Sequence, residues 1–391
     1  MSAIEDGREA HGEYVGVGPL DEYPIHQLPR PVAWAGSSDR NFYDRCYLNA
    51  HDRTGDLFLI TGMGFYPNLG TKDAYVLLRR GDEQTAVHLG DGADPRGGDR
   101  MEQRVGAYRI EVTEPLRKLR LVMEETHGIA LDLHWTGSFD VVQEQPHVMR
   151  QGAATVLDAQ RFAQVGTWEG LIEVDGQRIE VTPDRWVGTR DRSWGIRPSG
   201  EGLPPGKPAD PGFDGMWWLY VPLRFDYFAV VLIIQETPDG HRTLNDCTRT
   251  FADGRVEQLG WPHVRVHYRD GTRLPEEATI TCTTPSGEPL VLEVSSLLGV
   301  PIHVGGGYGG DTDWAHGVWK GEGFTERLTY DMNGPEVAGR VPFGVIDHVG
   351  RAVAHGPGVA DPDGAVGWGL FEHGILGRHG PSGFTDWFDR I

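Results

Sequence analysis

From about residue 41 to the end of the chain, short apolar runs alternate with turns rich in Gly, Asp or Asn. DLFLITGMGFYP, AYRIEV, IALDLHWTG, YFAVVLIIQETPDGHRTL and ATITCTTPSGEPLVLEV are representative. Period-two alternation over such lengths predicts strands, because successive side chains of an extended chain point to opposite faces. EVDGQRIEV and IQETPDGHRT predict hairpins with Asp-Gly at the turn. EPLRKLRLVMEE is the strongest helical candidate, yet Leu119, Leu121 and Met123 also alternate as in a strand, and the pattern leaves both readings open. Many short strands at regular spacing predict an all-β sandwich or barrel.

Two interruptions organise this pattern. Residues 1–40 are Pro-rich and irregular and are expected to wrap the first domain. PSGEGLPPGKPADPGFD, at 198–214, has almost no apolar content and reads as a linker. The division is therefore 41–198 as a first β-domain, 199–214 as linker and 215–391 as a second β-domain. A weak internal repeat supports it: GTWEG (166–170) and GVWKG (317–321) are each followed by a turn ending in glycine, then by GTRD (188–191) and GVID (344–347).

Composition narrows the function. A formal charge of −21 with no concentrated basic stretch argues against nucleic acid and disfavours anionic lipid, so the expected partner is an apolar small molecule, with no nucleic acid and no integral membrane contact. The longest apolar stretch, residues 227–234, is far below the ~20 residues of a membrane helix. Cys46, Cys247 and Cys282 are odd in number and widely spaced, which argues against a disulfide framework. With a polar, acidic N-terminal stretch, a cytoplasmic location is expected. Oligomeric state is left open between monomer and homodimer.

Familiar motifs fail on context. HVGGGYGGD fits GxGxxG at Gly305, Gly307 and Gly310, but no helix follows to face a pyrophosphate, so a mobile loop at a barrel mouth is expected. His263 and His267 lie in a strand-like HVRVHY, about 13 Å apart at ~3.3 Å per residue, too far to share an ion. No metal and no cofactor are expected. What remains is carboxylates, histidines and aromatics beside glycine-rich turns. One set is GMGFYPNLGTKDAY with Tyr66, Asn68 and Asp73. Another is LDLHWTG, where Asp132, His134 and Thr136 share one strand face and Leu133 and Trp135 the other. A third is GGDTDWAHGVW with Asp311, Asp313, Trp314, His316 and Trp319. The last is GTRDRSWGIRP, at 188–198. If it is one regular strand, Asp191 and Ser193 face one side while Arg190, Arg192 and Trp194 face the other. Its arginines and tryptophan are expected to clasp the two halves together.

DEYPIHQLP, SDRNFYDRCYLNAHDRTGDLFLITGMGFYPNLGTKDAY, RDRSWG and GVIDHVGRA together resemble the hydroxyneurosporene synthase (carotenoid 1,2-hydratase)-like proteins. More distantly the chain is similar to tocopherol cyclases and lipocalin-like Diels–Alderases. The resemblance runs from about residue 21 to the end, with RDRSWG the most distinctive piece. It implies two packed lipocalin-like antiparallel β-barrels, no cofactor, and an apolar isoprenoid-like or polyketide-like ligand near the domain junction. Hydrating an unactivated alkene takes an acid, π faces for the cation and a base for water. Asp191, by the RDRSWG match, or Asp313 is the expected proton donor, with His316 as its partner. Tyr66, Trp135, Trp194, Trp218, Tyr308, Trp314 and Trp319 are the expected substrate-binding residues. A pericyclase using shape and a donor such as Tyr66 or Trp218, or a non-catalytic carrier of lipophilic molecules, are the rival expectations.

Overall fold

A computed structural model of the chain describes residues 19–94, 96, 98–200, 202, 212–309 and 314–390. Its strands form two antiparallel sheets. The first begins at an edge with Phe324–Asp331, then runs through Glu83–Gly92, Thr71–Arg80, Leu57–Tyr66 and Phe42–His51 to Val187–Ile196. It continues through the long Ala154–Val174 strand, Ile129–Gly137, Lys118–Thr126 and Tyr108–Glu114 to Gln103–Val105. The second runs Val256–Gln258, Arg242–Phe251, Phe228–Glu236, Gly215–Arg224, Ala365–Gly377, Ile346–His355, Pro289–Pro301, Pro275–Thr283 and Gly260–Tyr268. The all-β, lipocalin-like reading holds. Both hairpins form, and EPLRKLRLVMEE resolves as the strand Lys118–Thr126. No helix among the described residues is long and apolar enough to cross a membrane.

Each sheet curls around its own core. Leu121, Leu133, Trp135 and Trp168 fill the first, and Leu232, Ile280, Leu292 and Phe371 fill the second. The outward faces of the two sheets then meet in a third cluster that joins Phe58, Ile60 and Tyr75 to Trp218, Tyr220, Ile233 and Leu370. Leu57–Tyr66 is buried at every position because both of its faces are covered, which explains its continuous apolar run. Among the described residues one strand pairing joins the halves: Phe324–Asp331, from the C-terminal half, pairs with Glu83–Gly92 at the edge of the first sheet. Most of the 199–214 stretch lies outside the described residues, as do residues 1–18. Residues further along the N-terminal segment do pack on the first sheet's side, where Asn68 and Arg100 donate to the carbonyls of Ser37, Asp39, Val32 and Ala33.

The first core has a clear keystone. Trp168 is 1% exposed, meets Trp135 edge-on at 5.0 Å and donates from its indole to the Asn49 carbonyl at 2.8 Å. A Cβ on Gly188 would strike both that carbonyl and the indole nitrogen, so only glycine fits there. Trp168→Ala is expected to lower stability by about 3–5 kcal/mol, through the cavity and the orphaned carbonyl. Urea unfolding checks this as a lower midpoint at unchanged slope. A loss under ~1 kcal/mol would contradict the assignment.

Candidate active site at the sheet junction

Where the two outward faces diverge they leave a cavity of about 240 Å³. Strand register decides what enters it. On the first sheet, Asp191 is paired across with Ala163 on one side and Tyr47 on the other, so these three form one row. The next row is Arg161, Ser193 and Arg45. Gly64, opposite Arg45, is required: a Cβ there would meet the Tyr66 hydroxyl and the Arg45 side chain. On the second sheet Tyr220, Glu372 and Asp347 make a matching row. The two rows touch where the Tyr47 hydroxyl donates to Asp347 Oδ2 at 2.5 Å. Tyr43, Trp218, Tyr220 and Tyr308 supply aromatic wall, and Trp218 donates from its indole to Glu372 Oε1 at 2.6 Å.

Low local polarity sets the protonation of these acids. Burial pushes the Asp191 carboxyl up to about 6, against the pull of Arg161, Arg45 and Arg197 and with the push of Glu144. Burial pushes Glu372 up to about 7; the Trp218 hydrogen bond and Arg161 oppose the rise, and Asp191 adds to it. Asp347 lies one strand over from Glu372 and is fully buried. Desolvation and the neighbouring carboxylate hold it well above the carboxylate range despite the Tyr47 hydrogen bond. Glu144, also raised by burial, is matched by Arg161, whose Nε lies 2.5 Å from Glu144 Oε2.

The cavity thus takes three of the residues expected from sequence: Asp191, Trp218 and Tyr308. Side-chain parity along Val187–Ile196 is as the regular strand requires, with Asp191 and Ser193 on the cavity side. Of the motif's arginines only Arg197 reaches the other half, lying over the Tyr308 ring; Arg190 and Arg192 form no clasp. Arg190 bonds to Gln164 and lies over the Trp135 ring, while Arg192 bonds to Asp44 and Gln103, so both turn into the first sheet's own interior. Trp194, on that strand's other face, is 38% exposed and Trp319 is 52% exposed; neither lines the cavity. Trp135 sits in the first core. Tyr66, Trp314 and His316 do not line the cavity, because the glycine-rich loop beyond Tyr308, where described, packs on the first sheet. There Asp73 accepts from the Gly317 amide at 2.6 Å and from Tyr66 at 3.2 Å, and His316 Nδ1 lies 3.5 Å away. Trp314 stacks on His88 at 4.3 Å. Burial holds the His316 imidazole well below its usual range, so it is neutral, and it stands one ring behind Tyr308. Asp311 and Asp313 lie outside the described residues.

Glu372, Arg161, Arg45, Arg197 and Tyr47 are the site residues that sequence reasoning missed. A signal existed for Glu372: GWGLFEHGIL places one carboxylate inside an otherwise apolar strand, and a buried acid asks for a reason. The repeat also pointed here. GTRD and GVID end in Asp191 and Asp347, which the fold brings to the same junction through Tyr47, although GVWKG is loop where GTWEG is strand.

Fold and site define a class: two curled β-sheets packed back to back, enclosing a small aromatic-walled cavity lined by two carboxyls whose pKa values burial raises. The chain belongs to the family of unknown function DUF8625, whose model matches residues 17–385. No curated protein matches the sequence. Among solved structures it is similar to an AttH-type protein from Nitrosomonas europaea, at 15% identity over 90% of this chain and 98% of that one, with a TM-score of 0.49. It is similar to kievitone hydratase from Nectria haematococca, at 13% identity over 92% and 95%, with a TM-score of 0.48. A further likeness is to CghA with Sch210972, at 12% identity over 86% and 89%, with a TM-score of 0.47.

Proposed function

We propose that the protein is a cofactor-independent acid–base hydratase or dehydratase of a small apolar alkene or tertiary alcohol bound in the junction cavity. One observation carries the reading: Asp191 and Glu372, from different sheets, face a single aromatic-walled cavity in unlike electrostatic settings. Arg161 and Arg197 act on both carboxyls, and each has an acid neighbour, Asp191 for Glu372 and Glu144 for Asp191. Asp191 has Arg45 as well and gives its proton up first. Such a split assigns acid and base. In this scheme Glu372 protonates the alkene carbon and the cation forms against the π faces of Trp218, Tyr220 and Tyr308. Asp191 takes a proton from the water that adds to it. Dehydration runs the same steps backwards. The donor role expected of Asp191 thus passes to Glu372, and His316 has no place at the reacting atoms. The sequence resemblance to the carotenoid hydratase-like proteins supports the same reaction class.

Volume sets the substrate's size. A cavity of ~150 Å³ holds benzene, so about 240 Å³ encloses on the order of ten non-hydrogen atoms. That fits a ten-carbon terpenoid and not a long polyene. The test is incubation of the protein with ten-carbon alkenes and tertiary alcohols in ¹⁸O-labelled water. Product carrying the label supports the proposal. An unlabelled rearranged product would mean a pericyclase or cyclase instead, and binding without any product would mean a carrier.

A further inference from the structure

The cavity holds more cationic charge than its own anions use. Arg161 is matched by Glu144, whose side chain is 1% exposed. Arg45, itself 6% exposed, and Arg197 also line the cavity. Among the described residues neither guanidinium has an ion pair within 4.0 Å or a side-chain hydrogen bond. Both instead lie over the one Tyr308 ring, at 4.9 and 5.4 Å from its centroid. A ring face attracts a cation but accepts few of the five N–H donors that each guanidinium offers. Buried charge without a hydrogen-bonded counter-ion is expensive unless something arrives to complete it. The carboxylates that face these arginines stand off from them. Asp191 is on the neighbouring strand, in the next row, with no ion-pair contact to any of the three arginines. Asp73 does not line the cavity and is engaged with Gly317 and Tyr66, and Glu372 is engaged with Trp218.

We infer that the substrate is an amphiphilic acid, with one carboxylate seated between Arg45 and Arg197 beside Tyr308 and its apolar body running towards Trp218. This rests on the junction cavity being the active site. It departs from the expectation of an apolar partner, which came from the overall charge of −21 rather than from this cavity. A planar guanidinium fork suits a carboxylate geometrically, and two of them fix its orientation. Anchoring one end in this way also aims the apolar part at Glu372, which a greasy cavity alone would not do.

The test compares geranic acid with geraniol, which share a skeleton of suitable size and differ in the carboxylate. Binding is read by quenching of tryptophan fluorescence and by calorimetry at pH 7.5. Geranic acid is expected to bind at least tenfold more tightly than geraniol. Arg197→Gln and Arg45→Gln are each expected to weaken the acid tenfold or more and the alcohol less than threefold. Arg45→Lys keeps the buried charge and is expected to retain part of the preference, with near-UV circular dichroism verifying that each variant folds. The acid's affinity should also rise between pH 8 and pH 6. Over that interval Asp191 and Glu372, which share the cavity, and Asp73, outside it, take up protons and stop repelling it; geraniol binding should stay flat. Equal binding of acid and alcohol, acid preference surviving loss of both arginines, or no binding by either would overturn the inference. Acid preference without ¹⁸O incorporation would sink the hydratase reading and leave this one standing.

Discussion

Glu372→Gln and Asp191→Asn are each expected to lower turnover by about 10²–10⁴-fold while shifting substrate affinity only a few-fold. Both replacements keep shape and hydrogen-bonding capacity. The amide oxygen that Glu372→Gln introduces can still accept the Trp218 indole N–H, so the wall of the cavity is preserved and only proton transfer is removed. The pH profile separates the roles. With Asp191 as base and Glu372 as acid, the wild-type rate rises as Asp191 ionises near pH 6 and falls as Glu372 ionises near pH 7, giving a narrow bell. Residual activity of Asp191→Asn should keep only the falling limb, and that of Glu372→Gln only the rising one. Steady-state rates across pH 5 to 9 check this. Unchanged kcat in both variants would remove acid–base catalysis and leave shape and π-stabilisation, the pericyclase alternative. A reversed pattern of limbs would exchange the two assignments.

Strand periodicity carried the fold class because each sheet has one face on its own core and, over much of its area, one face elsewhere. The Asp-Gly hairpins could be read directly for that reason, whereas YFAVVLII was legible as an unbroken apolar run because both of its faces are covered. Asp191 was legible on the same ground: parity along Val187–Ile196 separated it from Arg190 and Arg192 before any partner was known. What parity cannot say is which face is the junction. Trp135 and Trp218 look alike in sequence, yet Trp135 fills the first core and Trp218 walls the cavity. Nor does local sequence reveal that Phe324–Asp331 joins the first sheet, since an edge pairing between residues ~240 apart leaves no short-range trace. The glycine-rich loop misled for a related reason. Its residue types looked like a site, but the Gly317 amide donates to Asp73 and Trp314 stacks on His88, both on distant strands, and these contacts tie the described part of the loop down.

The strongest check on the acid pair is thermodynamic and needs no substrate. Glu372→Gln and Asp191→Asn should make the protein more stable at pH 8, although both abolish most activity. The sign follows from linkage. A carboxyl whose folded pKa is raised above its unfolded value contributes fully to stability below the unfolded pKa. That contribution is lost as pH climbs through the folded pKa, because the unfolded chain releases the proton more easily. Asp191 rises from 3.8 to about 6 and Glu372 from 4.5 to about 7. The window of loss is therefore roughly pH 4 to 7, and each ionised group costs about 2–3 kcal/mol above it at ~1.4 kcal/mol per pKa unit. An amide cannot ionise and escapes that cost. The gain of each variant over wild type should be about 2–3 kcal/mol at pH 8 and shrink towards zero near pH 4, measured by urea unfolding at both pH values. Buried neutral histidines such as His51, His348 and His373 act in the opposite direction below about pH 6.5, but equally in wild type and variant, so the difference isolates the acids. A variant less stable than wild type at pH 8 would mean that Asp191 or Glu372 serves as a structural ion. A gain confined to high pH would show a site that gives up stability to hold two carboxyls against one apolar cavity, the trade expected where chemistry rather than packing decides the residue.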